Sequence, residues 1–310
     1  MRFNTFRLLS LTLATSLVIL SISAALPAQA DGDPVFVGAG DIAACGVPGA
    51  AETAALLDKI PGIVFAAGDN VSPDGTLDNY KQCFEPTWGR FKNRMRAVPG
   101  NHDFNIAQGK EYFTYFGAAA GPAGQGYYSF ELGAWHIVML NSNAIHDLYT
   151  KEIPWLKADL AAHPKQCILA VAHHPAFSSG IFGITYRSWP LFKVLYDAGA
   201  SVLVSGSAHN YERFAAQNLA NQKEPARGIR QFVVGTGGAT RTSFGRIWKT
   251  TEARDDTTWG VLKLTLHPGS YDWEFVPVEG GTYHDSGHSS CSTLPVPAAT
   301  TAATATQAVK

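Results

Sequence analysis

The 310-residue chain has no excess of either charge: 24 Lys and Arg stand against 25 Asp and Glu, and neither sign forms a long block. This removes the electrostatic basis for binding nucleic acid or an anionic membrane, and leaves a small substrate as the expected partner. No C-x-x-C pair is present, which argues against a thiolate metal site. Ser178 and Ser179 lack the strand-to-helix elbow of a nucleophilic serine, so serine-hydrolase chemistry is set aside. Only one apolar run, residues 8–26, approaches the roughly 20 residues needed to cross a bilayer.

That run follows Arg2 and Arg7 and closes on Ala28-Gln29-Ala30, the order of a secretory signal, here residues 1–30. An uncleaved anchor is the alternative; interspersed Ser and Thr and the A-x-A end favour cleavage. The expected location is therefore secreted or periplasmic, with no membrane attachment after cleavage. Four cysteines in an exported chain read as disulfides. They allow three pairings, of which Cys45–Cys83 and Cys167–Cys291 are expected. Residues 31–291 are long enough for one domain with a sizeable core. Residues 292–310 are Pro, Ala and Thr with little else and read as a disordered tail.

Within 31–291, short apolar segments end repeatedly in polar, Gly-containing turns. Residues 35–39 lead to Gly40-Asp41, 63–67 to Gly68-Asp69, and 95–98 to Gly100-Asn101-His102. Residues 135–140 lead to Asn141, 167–172 to His173-His174, and 201–204 to Ser205-Gly206. These read as buried strands whose carboxyl ends present polar side chains, the edge where open α/β sheets hold ligands. Helical spacing at 50–60, 154–162 and 189–198 alternates with them and predicts a mixed α/β architecture. Late strands at 231–234, 260–266 and 271–276, without helices between them, point to a second sheet.

Gly-Asp after one strand is more often a turn or helix cap than a ligand. Here Asp41, Asp69, Asn101, His102, His173 and His209 each follow a predicted strand, so one sheet edge can collect them all. A mixture of carboxylate, amide and imidazole donors suits Zn, Mn or Fe.

This run resembles the calcineurin-like metallophosphoesterases, whose signature is GD…GD…GNH(D/E)…H…GHxH. Ala67-Gly68-Asp69-Asn70 with Pro73-Asp74-Gly75 looks like their bacterial, purple-acid-phosphatase-like branch. Gly100-Asn101-His102-Asp103 is the most specific piece, and the likeness runs from Gly40 to about Phe275, through Tyr211-Glu212-Arg213-Phe214 and Val234-Gly235-Thr236-Gly237-Gly238. It implies a four-layer αββα sandwich, two packed mixed β-sheets flanked by helices, with two divalent or trivalent ions (Fe, Mn or Zn) at the strand ends. Carried over by position, Asp41 and His209 bind the first metal, Asp69 bridges both, and Asn101 with His173 binds the second. His102 faces the substrate as proton donor or charge stabiliser. The activity implied is hydrolysis of a phosphoric ester by a metal-bridging hydroxide attacking in line.

The chain departs from this pattern in three places. Ser72 stands where purple acid phosphatases carry a metal-binding Tyr, and Ser207 replaces the first His of GHxH. Phe182 falls where relatives show a His after Ser-Ser-Gly. Ser72 and Ser207 are at most weak ligands, and His174 either positions His173 or is a turn residue before Pro175. His136 reads as structural, and His284 and His288 as solvated loop histidines. Two functions remain open: a phosphomonoesterase acting on a small phosphorylated substrate, and a catalytically degenerate relative that binds a phosphorylated ligand or a protein.

Overall fold

The computed structural model describes Met1 and residues 32–293, apart from 144–146, 166 and 184–185. The expected export signal lies outside the described residues, as does the expected tail beyond Ser292 and Thr293. Among the described residues no helix is long and apolar enough to cross a membrane.

Strands β1 (Val35–Ala39), β2 (Ala43–Ala44), β3 (Ile63–Ala67), β4 (Val71–Ser72) and β5 (Met95–Val98) open the domain. Then come β6 (Tyr128–Leu132), β7 (Trp135–Leu140), β8 (Cys167–Ala172), β9 (Val202–Ser205) and β10 (Tyr211–Phe214). The last are β11 (Arg230–Val234), β12 (Thr251–Asp255), β13 (Gly260–His267), β14 (Ser270–Pro277) and β15 (Asp285–Ser290). Helices that matter below are α1 (Gly49–Leu57), α2 (Asn101–Phe104), α3 (Ile153–Ala162) and α4 (Trp189–Asp197).

One sheet has the order β15-β14-β13-β1-β3-β5 and the other β12-β10-β11-β9-β8-β7-β6, with β2 and β4 forming a small ladder of their own. Strands β1, β3 and β5 run parallel, as do β7, β8, β9 and β11, while the outer strands are antiparallel. The strands of the parallel cores are apolar on both faces because both faces are covered. In the second sheet Ile137, Met139, Leu169 and Val171 join Phe36, Phe65 and Leu264 of the first sheet in one core. Their neighbours Val138, Leu140, Ile168 and Ala170 face the other way and pack with Leu156 and Leu160 of α3 and Leu191, Phe192 and Leu195 of α4. Helix α1 adds Ala50, Ala54 and Leu57 to the first core. The result is the expected sandwich of two mixed sheets flanked by helices.

Aromatic rings join the sheets: Trp135 meets Tyr271 edge-on at 5.6 Å between centroids, and its indole N–H donates to the His267 carbonyl at 2.9 Å. Both expected disulfides form. Cys45–Cys83 closes the loops around β2 and β4, and Cys167–Cys291 ties β8 of one sheet to the residue after β15 of the other. With its cysteines 124 positions apart in sequence, the second bridge restricts the unfolded chain strongly, worth about 4–5 kcal/mol in the loop-entropy account.

One expectation fails outright. The stretch holding His284 and His288 is not simply a solvated loop: residues from Asp285 onward form β15, in register with β14, with His288 opposite Asp272. An edge strand exposed on alternate residues needs no apolar face, so hydrophobic alternation could not reveal it. Strands β6, β10 and β12 were likewise not predicted as strands.

His136 is structural, as expected. It is 1% exposed, with Nδ1 2.8 Å from Glu131 Oε1 and Nε2 2.7 Å from Asp159 Oδ2. Burial alone would lower its pKa, but the hydrogen-bonded Asp159 and Glu131 carboxylates outweigh that and raise it. A raised folded pKa means that the contribution to stability is full below the unfolded value of about 6.5 and is lost as pH rises through the folded one. Urea unfolding at pH 5.5 and pH 9 should therefore show a smaller pH-dependent loss in His136→Gln than in the parent; equal losses would contradict this role.

Candidate metal centre

Because the strands within each parallel core run the same way, their carboxyl ends open on one edge. Asp41 follows β1, Asp69 follows β3, Asn101 and His102 follow β5, His173 follows β8, and Ser207 and His209 follow β9. The turns are laced together: Asp41 N donates to Gly68 O at 2.9 Å, Ile42 N to Asp69 O at 3.0 Å, and Gly206 N to His173 O at 3.0 Å.

All three imidazoles are held in the same manner. His102 Nδ1 faces Pro73 O at 2.5 Å, His173 Nδ1 faces Ala67 O at 3.0 Å, and His209 Nδ1 faces Thr240 O at 2.8 Å. A carbonyl can only accept, so each Nδ1 carries the proton and each Nε2 is turned inward. His209 Nε2 lies 3.2 Å from Asp41 Oδ1; His173 Nε2 lies 3.3 Å from Asp69 Oδ2 and 3.1 Å from Asn101 Oδ1. His102 Nε2 is 3.9 Å from Asp69 Oδ2. Oxygen donors of Asp41 and Asp69 and a nitrogen of His209 fall within 4.8 Å of one another.

A neutral Nε2 lone pair aimed at a carboxylate is repulsive, so the arrangement calls for positive charge between them, supplied by a proton or a metal ion. Burial alone would lower the His173 pKa, yet the Asp69 carboxylate holds it up at about 9. Asp41 does the same for His209, also to about 9. Asp69 is opposite: burial alone would raise it, but His173 and His102 draw it down to about 2. The donors fit an ion on a further count, since Asp41 Oδ1 is buried without a hydrogen bond.

The backbone is strained to achieve this. Asp41 (φ 56°), Asp69 (φ 47°), Ser207 (φ 72°) and His209 (φ 47°) are all left-handed non-glycine residues, each costing about 1–3 kcal/mol. Close packing explains the neighbouring glycines. A Cβ on Gly100 would lie 2.0 Å from Asp69 N and 2.1 Å from Asp69 Oδ1, and one on Gly68 would lie 2.5 Å from His173 Nδ1.

The structure thus brings together Asp41, Asp69, Asn101, His102, His173 and His209. Ser207 joins them, its N–H donating to Asp41 Oδ2 at 2.7 Å. Ser72 lies in β4, its carbonyl accepting from Cys45 N, and it is not among the residues lining the cavity over the site. His174 lines that cavity and touches His173 through its ring rather than by a hydrogen bond. Its Nδ1 pairs with Ser142 Oγ at 2.8 Å, its ring touches that of His173 edge-on, and Ala67 O orients His173 instead. Burial, then the charges of His173 and Arg187, push the His174 pKa down to about 2.

Two participants were not anticipated. Buried Asp103 accepts from Gly100 N at 2.7 Å, Asn70 Nδ2 at 2.8 Å, Tyr80 OH at 2.6 Å and Asn70 N at 3.1 Å, and so pins α2, which carries Asn101 and His102. Its place in Gly-Asn-His-Asp was the available signal. Arg187 lines the 570 Å³ cavity together with His102, His174, Phe182, Ser207 and His209. Among the described residues it makes no hydrogen bond or ion pair, and its Nε is buried without a partner. No motif marked it. Ile181 and Phe182, 55% and 59% exposed, form an apolar rim.

Residues 34–211 match the sequence model of the calcineurin-like phosphoesterases. The chain belongs to that family. The family typically holds a pair of metal ions, for which the Asp41, Asp69 and His209 group is a candidate. Among curated relatives, purple acid phosphatase 15 of Arabidopsis thaliana is 29% identical over 172 residues, covering 49% of this chain and 32% of that protein. Purple acid phosphatase 21 of the same plant is 32% identical over 185 residues, covering 52% of this chain and 42% of its own. The aligned region therefore spans less than half of those relatives, and they support the purple-acid-phosphatase likeness without its bacterial branch. In fold, the chain resembles a purple acid phosphatase from yellow lupin seeds, with a TM-score of 0.67 and 20% identity over 84% of this chain and 54% of that one. It also resembles GAP50, the anchor in the inner membrane complex of Plasmodium, with a TM-score of 0.62 and 15% identity over 84% of this chain and 89% of that one.

Asp103→Ala would leave several buried donors without an acceptor. It should lower stability by about 3 kcal/mol, read by urea unfolding, and release α2 so that metal content falls with it. An unchanged midpoint would contradict the pinning role.

Proposed function

We propose that this chain is an exported, metal-dependent phosphoric-ester hydrolase of the purple-acid-phosphatase-like type, acting on a small phosphomonoester. The observation that carries the proposal is the turning of three imidazole Nε2 atoms toward two buried carboxylates at one sheet edge. In this reading Asp41, Asp69 and His209 hold one ion, and Asp69, Asn101 and His173 hold another. Bound there, divalent or trivalent ions would polarise the phosphoryl oxygens and supply a nucleophile from water at neutral pH. Each pocket has three protein donors, and open positions are normal in catalytic sites.

His102 is the most exposed of the three imidazoles, with its ring fixed by Pro73 O. It protonates the leaving oxygen as the general acid of the reaction. The Arg187 guanidinium, which makes no hydrogen bond or ion pair among the described residues, binds phosphoryl oxygens. Two disulfides support export into an oxidising compartment.

Ser207 also favours a second reading, a degenerate member that binds a phosphorylated ligand or protein without turning it over, because a hydroxyl is a poor substitute for a metal-binding imidazole. Elemental analysis of the purified chain, followed by p-nitrophenyl phosphate turnover with added Mn or Zn, separates the two. Hydrolysis is expected, with Asp69→Ala losing both ions together and falling to background. Absence of metal and turnover at every pH would establish the second reading. With turnover in hand, Arg187→Ala should lower kcat/KM about tenfold to a hundredfold, with partial recovery in Arg187→Lys.

A further inference from the structure

A second group of metal-ligating side chains lies on the first sheet, on strands that contribute nothing to the candidate centre except β1. The antiparallel register pairs Val35 with Thr265, Thr265 with Asp272, and Asp272 with His288. Extended by two residues, the β1–β13 register brings Asp33 opposite His267. Side chains two apart share a face of a strand, so Asp33, His267, Asp272 and His288 form a row across the chain entering β1, then β13, β14 and β15.

The contacts follow that order. His267 Nδ1 lies 2.5 Å from Asp33 Oδ2, His267 Nε2 lies 2.9 Å from Asp272 Oδ2, and His288 Nδ1 lies 2.6 Å from Asp272 Oδ1. One donor atom each from His267, Asp272 and His288 falls within 4.8 Å of the others. Both nitrogens of His267 face carboxylates, so a neutral ring must aim one lone pair at an anion. The bond from Nδ1 to Asp33 is the carboxylate–imidazole contact that orients metal-binding histidines, and it leaves Nε2 as the ligand atom.

We propose that His267, Asp272 and His288 form a zinc-class binding site at this sheet edge, with Asp33 as the carboxylate that orients His267. Two imidazoles and one carboxylate, with water in the fourth position, match the donor set and coordination number of Zn²⁺. All four side chains reach solvent, so a hydrated cation has access. The nearby Lys263 is neutralised by Glu274 at 3.1 Å and does not oppose a cation. Another cluster, His136, Asp159 and His163, lacks these features: His136 is buried, and His163 Nδ1 is engaged by the Asp159 carbonyl at 2.9 Å. An ion in the row would join β13, β14 and β15 directly and hold the chain entering β1 through Asp33.

The test is calorimetric titration of the full, chelator-treated protein with Zn²⁺, beside His288→Ala and a His267→Gln/His288→Gln double variant. The double variant should lose one zinc equivalent, or bind it at least tenfold more weakly, while the remaining equivalents and any phosphatase turnover stay unchanged. Zinc should raise Tm more in the parent than in either variant. Identical stoichiometry, affinity and zinc-dependent Tm in all three would overturn the proposal. So would variants that change only the pH dependence of stability, because the row would then be held by protons alone. His288 is the most exposed of the four, so the single variant keeps the test decisive if the double one folds poorly. Neither outcome depends on the catalytic reading, since Asp69→Ala would leave this site intact.

Discussion

Everything at the candidate centre depends on three hydrogen bonds from imidazole Nδ1–H to a main-chain carbonyl. Pro73, Ala67 and Thr240 belong to different segments, yet each accepts from one histidine and so turns its Nε2 toward Asp69 or Asp41. A ring held on one side by backbone has little freedom left, so the inward nitrogen is placed before any ion arrives. The turns are fixed in turn by parallel strands buried on both faces. Sheet packing thus sets the chemistry of the edge, and the four left-handed residues mark the strain accepted there.

The same arrangement creates a competition. Carboxylates that face imidazole nitrogens raise the proton affinity of His173 and His209, so protons and metal ions seek the same space. The departures from the family pattern act on this balance. Ser207 contributes its backbone N–H to Asp41 but no nitrogen ligand. Arg187 brings a fixed charge into the cavity from the segment before α4, outside the turns that carry the ligands. The cavity is therefore lined both by the donors at the strand ends and by a guanidinium from a separate segment.

Much of this was legible in the sequence because parallel strands write themselves as short apolar runs. The segments ending at Asp41, Asp69, Asn101 and His173 were placed correctly, and with them the six residues that converge. Both disulfide pairings also held, although spacing alone left three possibilities. What stayed hidden had no periodic signature. Strand β15 is polar on both faces and is recognised only through its register with β14. Asp103 looked like the last letter of a motif, whereas its donors come from three separate segments. Among the described residues Arg187 is distinguished by the absence of a partner, which no linear pattern records. His174 sits beside His173 in the chain but answers to Ser142, a contact made across 32 residues of sequence.

The Cys167–Cys291 bridge has a topological effect beyond stability. It makes a covalent ring of the segment that carries His173, Ser207 and His209, while Asp41, Asp69, Asn101 and His102 lie on the arm leading into it. A single protease cut anywhere inside the ring would open it without releasing a fragment. The clipped molecule would become a two-chain species whose pieces remain tethered, and both halves of the centre would stay joined for as long as the bridge stayed oxidised.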